Sequence, residues 1–291
     1  MRIMIDLHTH SNASDGNLSP TLLIKEALKK GLSTLALTDH DTINGIKEAS
    51  QASLEMGMKF IPGIELEINW NENSGGEFHL LGLGIKNPSK GFIDAVDEMS
   101  RRRETRNIGI VEEMNKAGIK CSYDDIKKLS GGHSVGRPHF ASFLVKQKIV
   151  RNIPQAFEHY LSKGKEFFVP RITLDFDKAV EVIHESGAYA ILAHPMSLYL
   201  SWGKLPEYIK NLKERGLDGI EAFHPLAKLS ACQKLKELAK KLELYFTSGS
   251  DFHGDNTPGR MLGITSGGNK LNEDFQDETF REKLNSPIIG L

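Results

Sequence analysis

The sequence predicts an α/β fold with a parallel sheet, and three observations support this. Short apolar runs alternate with amphipathic helical runs over the first 85 residues, and the same alternation returns after residue 170. Such strand–helix repetition is typical of parallel α/β proteins. The 291 residues are 39% hydrophobic, which is enough to bury one large barrel or about two domains. These patterns alone are compatible with a barrel and with an open sheet.

The first part of the chain is predicted to contain four strands and two helices. Ser19 and Pro20 are a favourable N-cap and first-turn pair, so the first helix begins there and continues through Lys30. The second helix runs from about Asn44 to Met56. The predicted strands are Arg2–Leu7, Thr34–Leu37, Lys59–Ile68 and Phe78–Ile85.

The last part of the chain repeats the pattern three times, as a helix followed by a strand. The predicted helices are Asp177–Glu185, Pro206–Arg215 and Leu229–Leu242. The predicted strands are Ala188–Ala193, Gly219–Phe223 and Leu244–Ser248. The polar tail after Ile264 offers few signals for secondary structure.

The middle of the chain lacks strand signals and is predicted to be a helical insertion over residues 86–169. One long amphipathic run places apolar residues at steps of three and four: Phe92, Val96, Met99, Ile108, Val111 and Met114. Shorter helical pieces are predicted at Tyr123–Leu129, Pro138–Lys146 and Pro154–Ser162. The α/β body then consists of residues 1–85 and 170–291.

Composition and charge exclude several classes of protein. Lysine plus arginine is 37 and aspartate plus glutamate is 38, so there is no global basic field for non-specific nucleic-acid binding. No apolar stretch approaches the length of a membrane span, and the N-terminus does not read as a secretory signal. The two cysteines, Cys121 and Cys232, form no C-x-x-C motif. We therefore expect a cytoplasmic enzyme without a membrane partner.

Histidines at the ends of predicted strands are the main functional signal. In parallel α/β folds the carboxyl ends of the strands meet at one rim, where active sites are built. One histidine at a strand end is usually only packed or solvated, but five strand ends here carry one, each near a carboxylate or a second histidine. The histidines concerned are His8, His10, His40, His194, His224 and His253.

Carboxylates and further histidines complete a set of candidate metal ligands. His8 and His10 are two residues apart in an extended segment, so both imidazoles face the same side. Glu65 lies within an apolar strand, where an unpaired carboxylate is costly and a cation is its simplest partner. The candidate ligands are His8, His10, Asp15, His40, Glu65, His79, His194, Asp251 and His253.

Nine nitrogen and oxygen donors are too many for one ion and suit two or three divalent metals. Mixed imidazole and carboxylate ligands without sulfur favour Mn²⁺, Fe²⁺ or Zn²⁺. The sequence does not choose among them; manganese is the ion we expect, with iron or zinc as alternatives. Such a cluster implies hydrolysis by a metal-bridging hydroxide. Because the metal charge exceeds that of the carboxylates, the pocket favours an anionic substrate such as a phosphoester.

Seven motifs in order resemble those of the PHP (polymerase and histidinol phosphatase) family of metal-dependent phosphoesterases. They are MIDLHTHSNASDG, LALTDHDT, PGIELE, HLLGLG, LAHP, GIEAFHP and TSGSDFHG. The resemblance implies a distorted (β/α)7 barrel, like that of amidohydrolases, with a trinuclear metal centre. It also implies how the nine ligands are shared. His8, His10, Glu65 and Asp251 hold one metal; Glu65, His79 and His194 hold a second; Asp15, His40 and His253 hold the third.

Within the family, GRPHFA in the insertion and the segment SDFHGDNTPGRMLG resemble the nucleoside 3',5'-bisphosphate phosphatases, some of which also shorten RNA from the 5' end. Arg137 and Arg260 are suited to bidentate contact with phosphate oxygens. His139 and His224 are suited to donate to phosphate, and His224 is our candidate general acid beside Glu65 as the catalytic carboxylate. Alternatively, Arg137 and His139 belong to a solvated helix start, Arg260 is solvated, and His224 orients a ligand.

The function predicted from the sequence is hydrolysis of a phosphate monoester of a nucleotide, such as a nucleoside 3',5'-bisphosphate. The alternatives are a 5'–3' exonuclease acting on short RNA or oligonucleotides, a histidinol-phosphate phosphatase, and a non-catalytic metal-binding module. The expected partner is the small phosphorylated substrate or a short RNA 5' end, with no obligatory protein partner. The complete ligand set argues against the non-catalytic module.

Overall fold

A computed structural model describes residues 2–70, 76–130, 134–254 and 259–284 of the chain. The chain divides into two compact units, residues 1–95 with 174–291 and residues 96–173. The sequence-based boundaries were placed at 85 and 169 instead. The long helix that enters the insertion explains the first difference, because Ser89 at its start bonds to Ser186 and Glu185 of the first unit.

The first unit contains a seven-stranded sheet whose strands follow one another in chain order. The strands are Ile5–Asp6 (β1), Thr34–Leu37 (β2), Lys59–Glu67 (β3), His79–Leu83 (β4), Tyr189–Leu192 (β5), Gly219–Phe223 (β6) and Tyr245–Ser248 (β7). Neighbouring strands are parallel, except that β4 is antiparallel to both β3 and β5. All seven predicted strands are present, with ends that differ by up to three residues.

The sheet closes into a barrel because its last strand meets its first. The backbone N–H of Leu7 donates to the carbonyl of Ser248 at 3.3 Å. Just beyond the strands, Thr9 pairs with Phe252 in a parallel bridge. The predicted barrel is therefore confirmed, and the open sheet is excluded.

The described residues contain ten α-helices, of which α4, α5 and α6 belong wholly to the second unit. They are Pro20–Lys29 (α1), Ile46–Met56 (α2), Lys90–Lys116 (α3), Tyr123–Leu129 (α4), Arg137–Lys146 (α5), Ile153–Ala156 (α6), Phe176–Glu185 (α7), Leu205–Glu214 (α8), Leu229–Lys241 (α9) and Glu278–Lys283 (α10). The Ser19 hydroxyl accepts the N–H of Leu22 and caps α1, as its sequence predicts. No helix in this part of the chain is long and apolar enough to cross a membrane.

The second unit is helical, as its sequence predicts, and has its own core around Ile110, Met114 and Phe140. Two expectations fail in detail. Ile108 is 44% exposed, because the buried stripe of α3 passes through Ile110. The helix predicted at Pro154–Ser162 is only one α-turn, α6, continued by a wider π-helical turn at Phe157–Leu161.

The tail contains more structure than its composition indicates. Ile264–Thr265 (β8) and Asn269–Lys270 (β9) form a two-stranded hairpin, and α10 follows. Phe280 of α10 is fully buried among barrel residues, including Ile5 and Ile191. A short helix with one large anchor gives little periodic signal, which is why the sequence did not reveal it.

Candidate metal centre

The candidate ligands lie at one rim of the barrel because of the strand directions. His8 and His10 follow β1, His40 follows β2, and Glu65 lies in the second half of β3. His79 begins β4, and an antiparallel strand starts at the rim where its parallel neighbours end. Asp15 lies in the loop between β1 and α1. His194 follows β5, and Asp251 and His253 follow β7.

The structure brings eight of the nine candidate ligands into three overlapping clusters with donor atoms within 4.8 Å of one another. The first cluster is His8, His10, Glu65 and Asp251; the second is His40, Glu65 and His79; the third is His10, Asp15, His40 and His253. His194, the ninth candidate, joins the second cluster through its Nε2, 3.0 Å from Glu65 Oε1. Because His10, His40 and Glu65 are each shared, the clusters form one continuous centre.

Glu65 lies at the middle of this centre and is 1% exposed. Its carboxylate oxygens are within 3.3 Å of five imidazole nitrogens: His79 at 2.9 Å, His194 and His40 at 3.0 Å, His10 at 3.2 Å and His8 at 3.3 Å. Oε2 nevertheless makes no hydrogen bond within the described residues. A buried oxygen in this state lacks a partner that a cation would supply.

His8 has its tautomer set by Glu221, a fully buried carboxylate on β6. His8 Nδ1–H donates to Glu221 Oε1 at 3.0 Å, which leaves the Nε2 lone pair for the centre. That Nε2 lies among other candidate ligand atoms: His10 Nε2 at 3.1 Å, Glu65 Oε2 at 3.3 Å and Asp251 Oδ1 at 3.5 Å. The arrangement is that of a metal ligand.

The imidazole of His194 has its tautomer set in the same way. Ser197 Oγ donates to the Glu77 carbonyl at 2.9 Å, so it accepts from His194 Nδ1–H at 2.7 Å. The Nε2 lone pair of His194 therefore points at Glu65 Oε1. Two acceptors at 3.0 Å repel each other unless a proton or a cation lies between them. The donor set thus fits divalent metals, and residues of all three clusters would hold them.

Burial and neighbouring carboxylates shift the pKa values of these groups in opposite directions. Burial lowers the pKa of His10 and of His79, but carboxylates outweigh it and raise both to about 9: Asp251 and Glu65 beside His10, and mainly Glu65 beside His79. Burial raises the pKa of Asp15, yet the imidazoles of His253 and His40 hold it well below its usual range. Without metal, protons therefore occupy imidazoles that a metal would use.

We expect metal binding to release protons and to strengthen as the pH rises from about 6 to 9. His10 and His79, with pKa values raised to about 9, stay protonated in metal-free protein at neutral pH, and a cation must displace those protons. Calorimetric titration with Mn²⁺ in buffers of different ionisation enthalpy measures the number released. Binding that is independent of buffer and pH would contradict the assignment.

Asp251 is oriented by two neighbours that leave one oxygen free for the centre. Its Oδ2 lies 2.9 Å from Arg260 Nη1 and 3.1 Å from His224 Nε2, while its Oδ1 lies 3.2 Å from His10 Nε2. His224 Nδ1 accepts the N–H of Leu226, so Nε2 carries the proton that Asp251 accepts. This geometry places His224 and Arg260, two predicted substrate-binding residues, at the edge of the centre.

Comparison with known proteins decides the family. The family model described as "PHP domain" matches residues 6–179. The chain belongs to the PHP family. Two relatives are similar to this PHP chain over most of their length. A Haemophilus influenzae protein named 5'-3' exoribonuclease is 39% identical over 85% of this chain and 89% of its own. A Chromobacterium violaceum protein named 3',5'-nucleoside bisphosphate phosphatase is 31% identical over 90% and 91%.

Two solved structures share the fold of this PHP protein. An amidohydrolase from Chromobacterium violaceum, with bound sulfate and no metal, superposes with a TM-score of 0.83 at 30% identity, covering 96% of this chain and 95% of that one. A protein from Bifidobacterium adolescentis assigned to the metal-dependent phosphoesterases gives 0.82 at 26% identity, covering 96% and 94%. The predicted enzyme class, a metal-dependent phosphoesterase, is confirmed.

The other two predicted substrate residues of the PHP chain lie in the helical unit. Arg137 begins α5, where its Nη2 donates to the Val169 carbonyl at 3.2 Å and its guanidinium lies over the Phe168 ring. His139 Nδ1 accepts the N–H of Gly136. Their contact with phosphate stays a prediction. Residues 255–258 of the motif SDFHGDNTPGRMLG, which contains Arg260, lie outside the described residues.

Sequence reasoning missed two carboxylates, Glu221 and Asp39. Glu221 lies in GIEAF as Glu65 lies in PGIELE, so the cost of a carboxylate in an apolar strand was a usable signal. The Asp39 carboxylate accepts from the backbone and side chain of Ser11 and from the Ser14 hydroxyl. Asp39 thereby fixes the loop between His10 and Asp15.

Gly249 allows the strand ends of this PHP barrel to approach each other. A Cβ at this position would collide with the Cβ of His8 and would come within 2.7 Å of Glu221 Oε1. Only glycine lets β7 pass so close to the first ligand. The glycine of TSGSD therefore has a packing role at the centre.

Proposed function

We propose that this chain hydrolyses a phosphate monoester of a nucleotide, such as a nucleoside 3',5'-bisphosphate, with two or three divalent metal ions. The observation that carries the proposal is the continuous centre in which Glu65 faces five imidazoles. Manganese is the ion we propose first, with iron or zinc as alternatives. The relative named as a bisphosphate phosphatase covers nine-tenths of this chain, which supports this substrate class. The cytoplasmic location predicted from the sequence stays a prediction.

The residues of the three clusters would hold the metals in a buried, preorganised site. When bound, divalent ions supply water activated for attack and positive charge that stabilises the phosphoryl oxygens. Glu65 is the carboxylate that the first and second clusters share, so it would contribute to holding a metal in each. Glu221 and Ser197 hold His8 and His194 in the tautomers that present Nε2 lone pairs.

Arg260 and His224 border the place where the phosphate would bind. The Arg260 side chain is one-quarter exposed and uses Nη1 on Asp251, which leaves further N–H donors for a phosphate oxygen. His224 holds its Nε2 proton against Asp251 Oδ2. We propose His224 as the group that orients Asp251. Its role as general acid requires that proton to transfer from this bond to the leaving oxygen.

The test is phosphate release with Mn²⁺ added, comparing adenosine 3',5'-bisphosphate with 5'-AMP, histidinol phosphate and a short 5'-phosphorylated RNA. Faster release from the bisphosphate than from the other three supports the proposal. Preferred release from histidinol phosphate would replace it. No turnover by metal-loaded protein on any of the four would contradict nucleotide hydrolysis.

A second candidate function, 5'–3' exonuclease activity on short RNA, is favoured by the 39% identical relative of that name. The same assay separates the two. Mononucleotides appearing from the 5' end of the RNA, faster than phosphate from the bisphosphate, would place the exonuclease first.

We expect Arg137→Ala to raise KM for the bisphosphate about tenfold with little change in kcat. A guanidinium that contacts phosphate equally in the ground and transition states contributes to binding alone. If Arg137 only braces Val169 and Phe168, the substitution would lower the melting temperature and leave KM unchanged. Arg151→Ala, an exposed arginine of the same unit, is the matched control and should change neither.

A further inference from the structure

A cavity of about 270 Å³ opens beside the metal centre within the barrel unit. Two residues that line it, His194 and His224, contact the centre. His194 Nε2 lies 3.0 Å from Glu65 Oε1, and His224 Nε2 lies 3.1 Å from Asp251 Oδ2. A group bound in the cavity would therefore lie next to the place where a phosphate reacts. Its volume is slightly below the roughly 300–1,000 Å³ of pockets for drug-sized ligands, so it suits one ring system with its sugar.

Apart from Ser197 and Glu221, the rest of the lining is apolar, and two of its side chains are largely exposed. Tyr199 is 71% exposed and Leu226 is 64% exposed, and both line the cavity together with Met196 and Leu235. Exposed aromatic and aliphatic groups facing one cavity next to a reactive centre are suited to a flat apolar ring.

The backbone that presents Tyr199 is strained, which indicates that its position is imposed. Tyr199 has φ 51°, in the left-handed region that residues with a Cβ avoid, and His194 at the other end of the same turn has φ 26°. The turn between them is held by Ser197, whose hydroxyl donates to the Glu77 carbonyl, while the Glu77 N–H donates to the Ser197 carbonyl. The backbone position of Tyr199 is thus fixed relative to the centre.

The polar lining excludes a second phosphate as the occupant. No lysine or arginine is among the described residues that line the cavity, and Glu221 contributes a buried carboxylate. The polar atoms of Glu221 and Ser197 are already bonded to His8, His194 and Glu77. An anionic group would be repelled here, whereas a neutral ring needs no charged partner.

From this cavity we infer that Tyr199 and Leu226 form the nucleoside subsite, in which the base packs between the tyrosine ring and the leucine side chain. The inference rests on the proposed function, because it assigns the uncharged part of that substrate. The reacting phosphate lies at the metals, and any second phosphate lies elsewhere.

The first test measures binding without turnover. The binding of adenosine and of ribose is measured by ligand-detected NMR with four proteins: wild type, Tyr199→Ala, Tyr199→Phe and Leu226→Ala. Each protein is tested once free of Mn²⁺ and once loaded with Zn²⁺. We expect adenosine to bind, ribose not to bind, Tyr199→Ala to weaken adenosine roughly five- to twentyfold, and Tyr199→Phe to retain binding. Alanine and phenylalanine both keep a Cβ, so the backbone strain at φ 51° is unchanged. Equal binding of adenosine by wild type and Tyr199→Ala would overturn the inference.

The second test compares KM for adenosine 3',5'-bisphosphate with KM for a ribose phosphate that lacks the base. Tyr199→Ala and Leu226→Ala should raise only the first, with kcat retained, and Leu54→Ala, an exposed leucine outside the cavity, should raise neither. Turnover of the bisphosphate with an unchanged KM in Tyr199→Ala would overturn the subsite while the proposed function stands. Tyrosine-dependent adenosine binding without nucleotide hydrolysis would overturn the function while the subsite stands.

Discussion

Glu65→Gln should reduce turnover by about a thousandfold or more and should strip at least one metal from the purified protein. The carboxylate is shared by the first and second clusters and lies within 3.3 Å of five imidazole nitrogens. An amide carries no charge to hold a cation, and its NH₂ group would donate to imidazole lone pairs that a metal needs. The loss should exceed the 10–100-fold typical of residues that only orient a ligand.

Metal analysis after dialysis and phosphate release at saturating Mn²⁺ measure the two effects separately. Glu67→Gln is the matched control, because Glu67 lies two residues further along β3 but outside all three clusters. It should keep its metal and most of its activity. Full metal content and full turnover in Glu65→Gln would show that the carboxylate does not hold a metal.

The location of the centre was predictable from sequence because parallel strands of a barrel all end at the same rim. His8, His40 and His194 each follow an apolar run. In a parallel barrel such residues lie at one rim, independently of the length of the helices between the strands. Glu65 was predictable for a different reason, since a carboxylate within an apolar strand requires a partner. Periodicity also located every barrel strand, because buried strands and amphipathic helices repeat at different intervals.

Features that depend on contacts between distant segments were not predictable in this way. Barrel closure needs contact between the ends of β7 and β1, which neither strand encodes alone. The imidazole tautomers depend on partners far away in sequence, such as Glu221 for His8 and Ser197 for His194. The cavity beside the centre likewise arises only when the turns after β5 and β6 come together.

Glu221→Gln is the second substitution expected to have a large effect, although Glu221 belongs to none of the three clusters. Its Oε1 accepts from His8 Nδ1–H at 3.0 Å, and its Oε2 accepts from the His194 backbone N–H at 2.8 Å. An amide has only one oxygen, so its NH₂ group must face one of these two donors. If it faces His8, the imidazole proton moves to Nε2 and blocks the lone pair; if it faces His194, the strained backbone at φ 26° loses its anchor.

Either outcome should weaken Mn²⁺ binding by roughly 10–100-fold, with turnover partly restored by excess metal. Asp218→Asn is the matched control, because Asp218 Oδ2 likewise accepts from an imidazole, His184, and from a backbone N–H, that of Ala190, but precedes β6 at its opposite end. That variant should lose thermal stability and keep its metal affinity. Equal metal affinity in Glu221→Gln and wild type would show that the His8 tautomer is not set by Glu221, since a purely structural carboxylate would behave as Asp218 does.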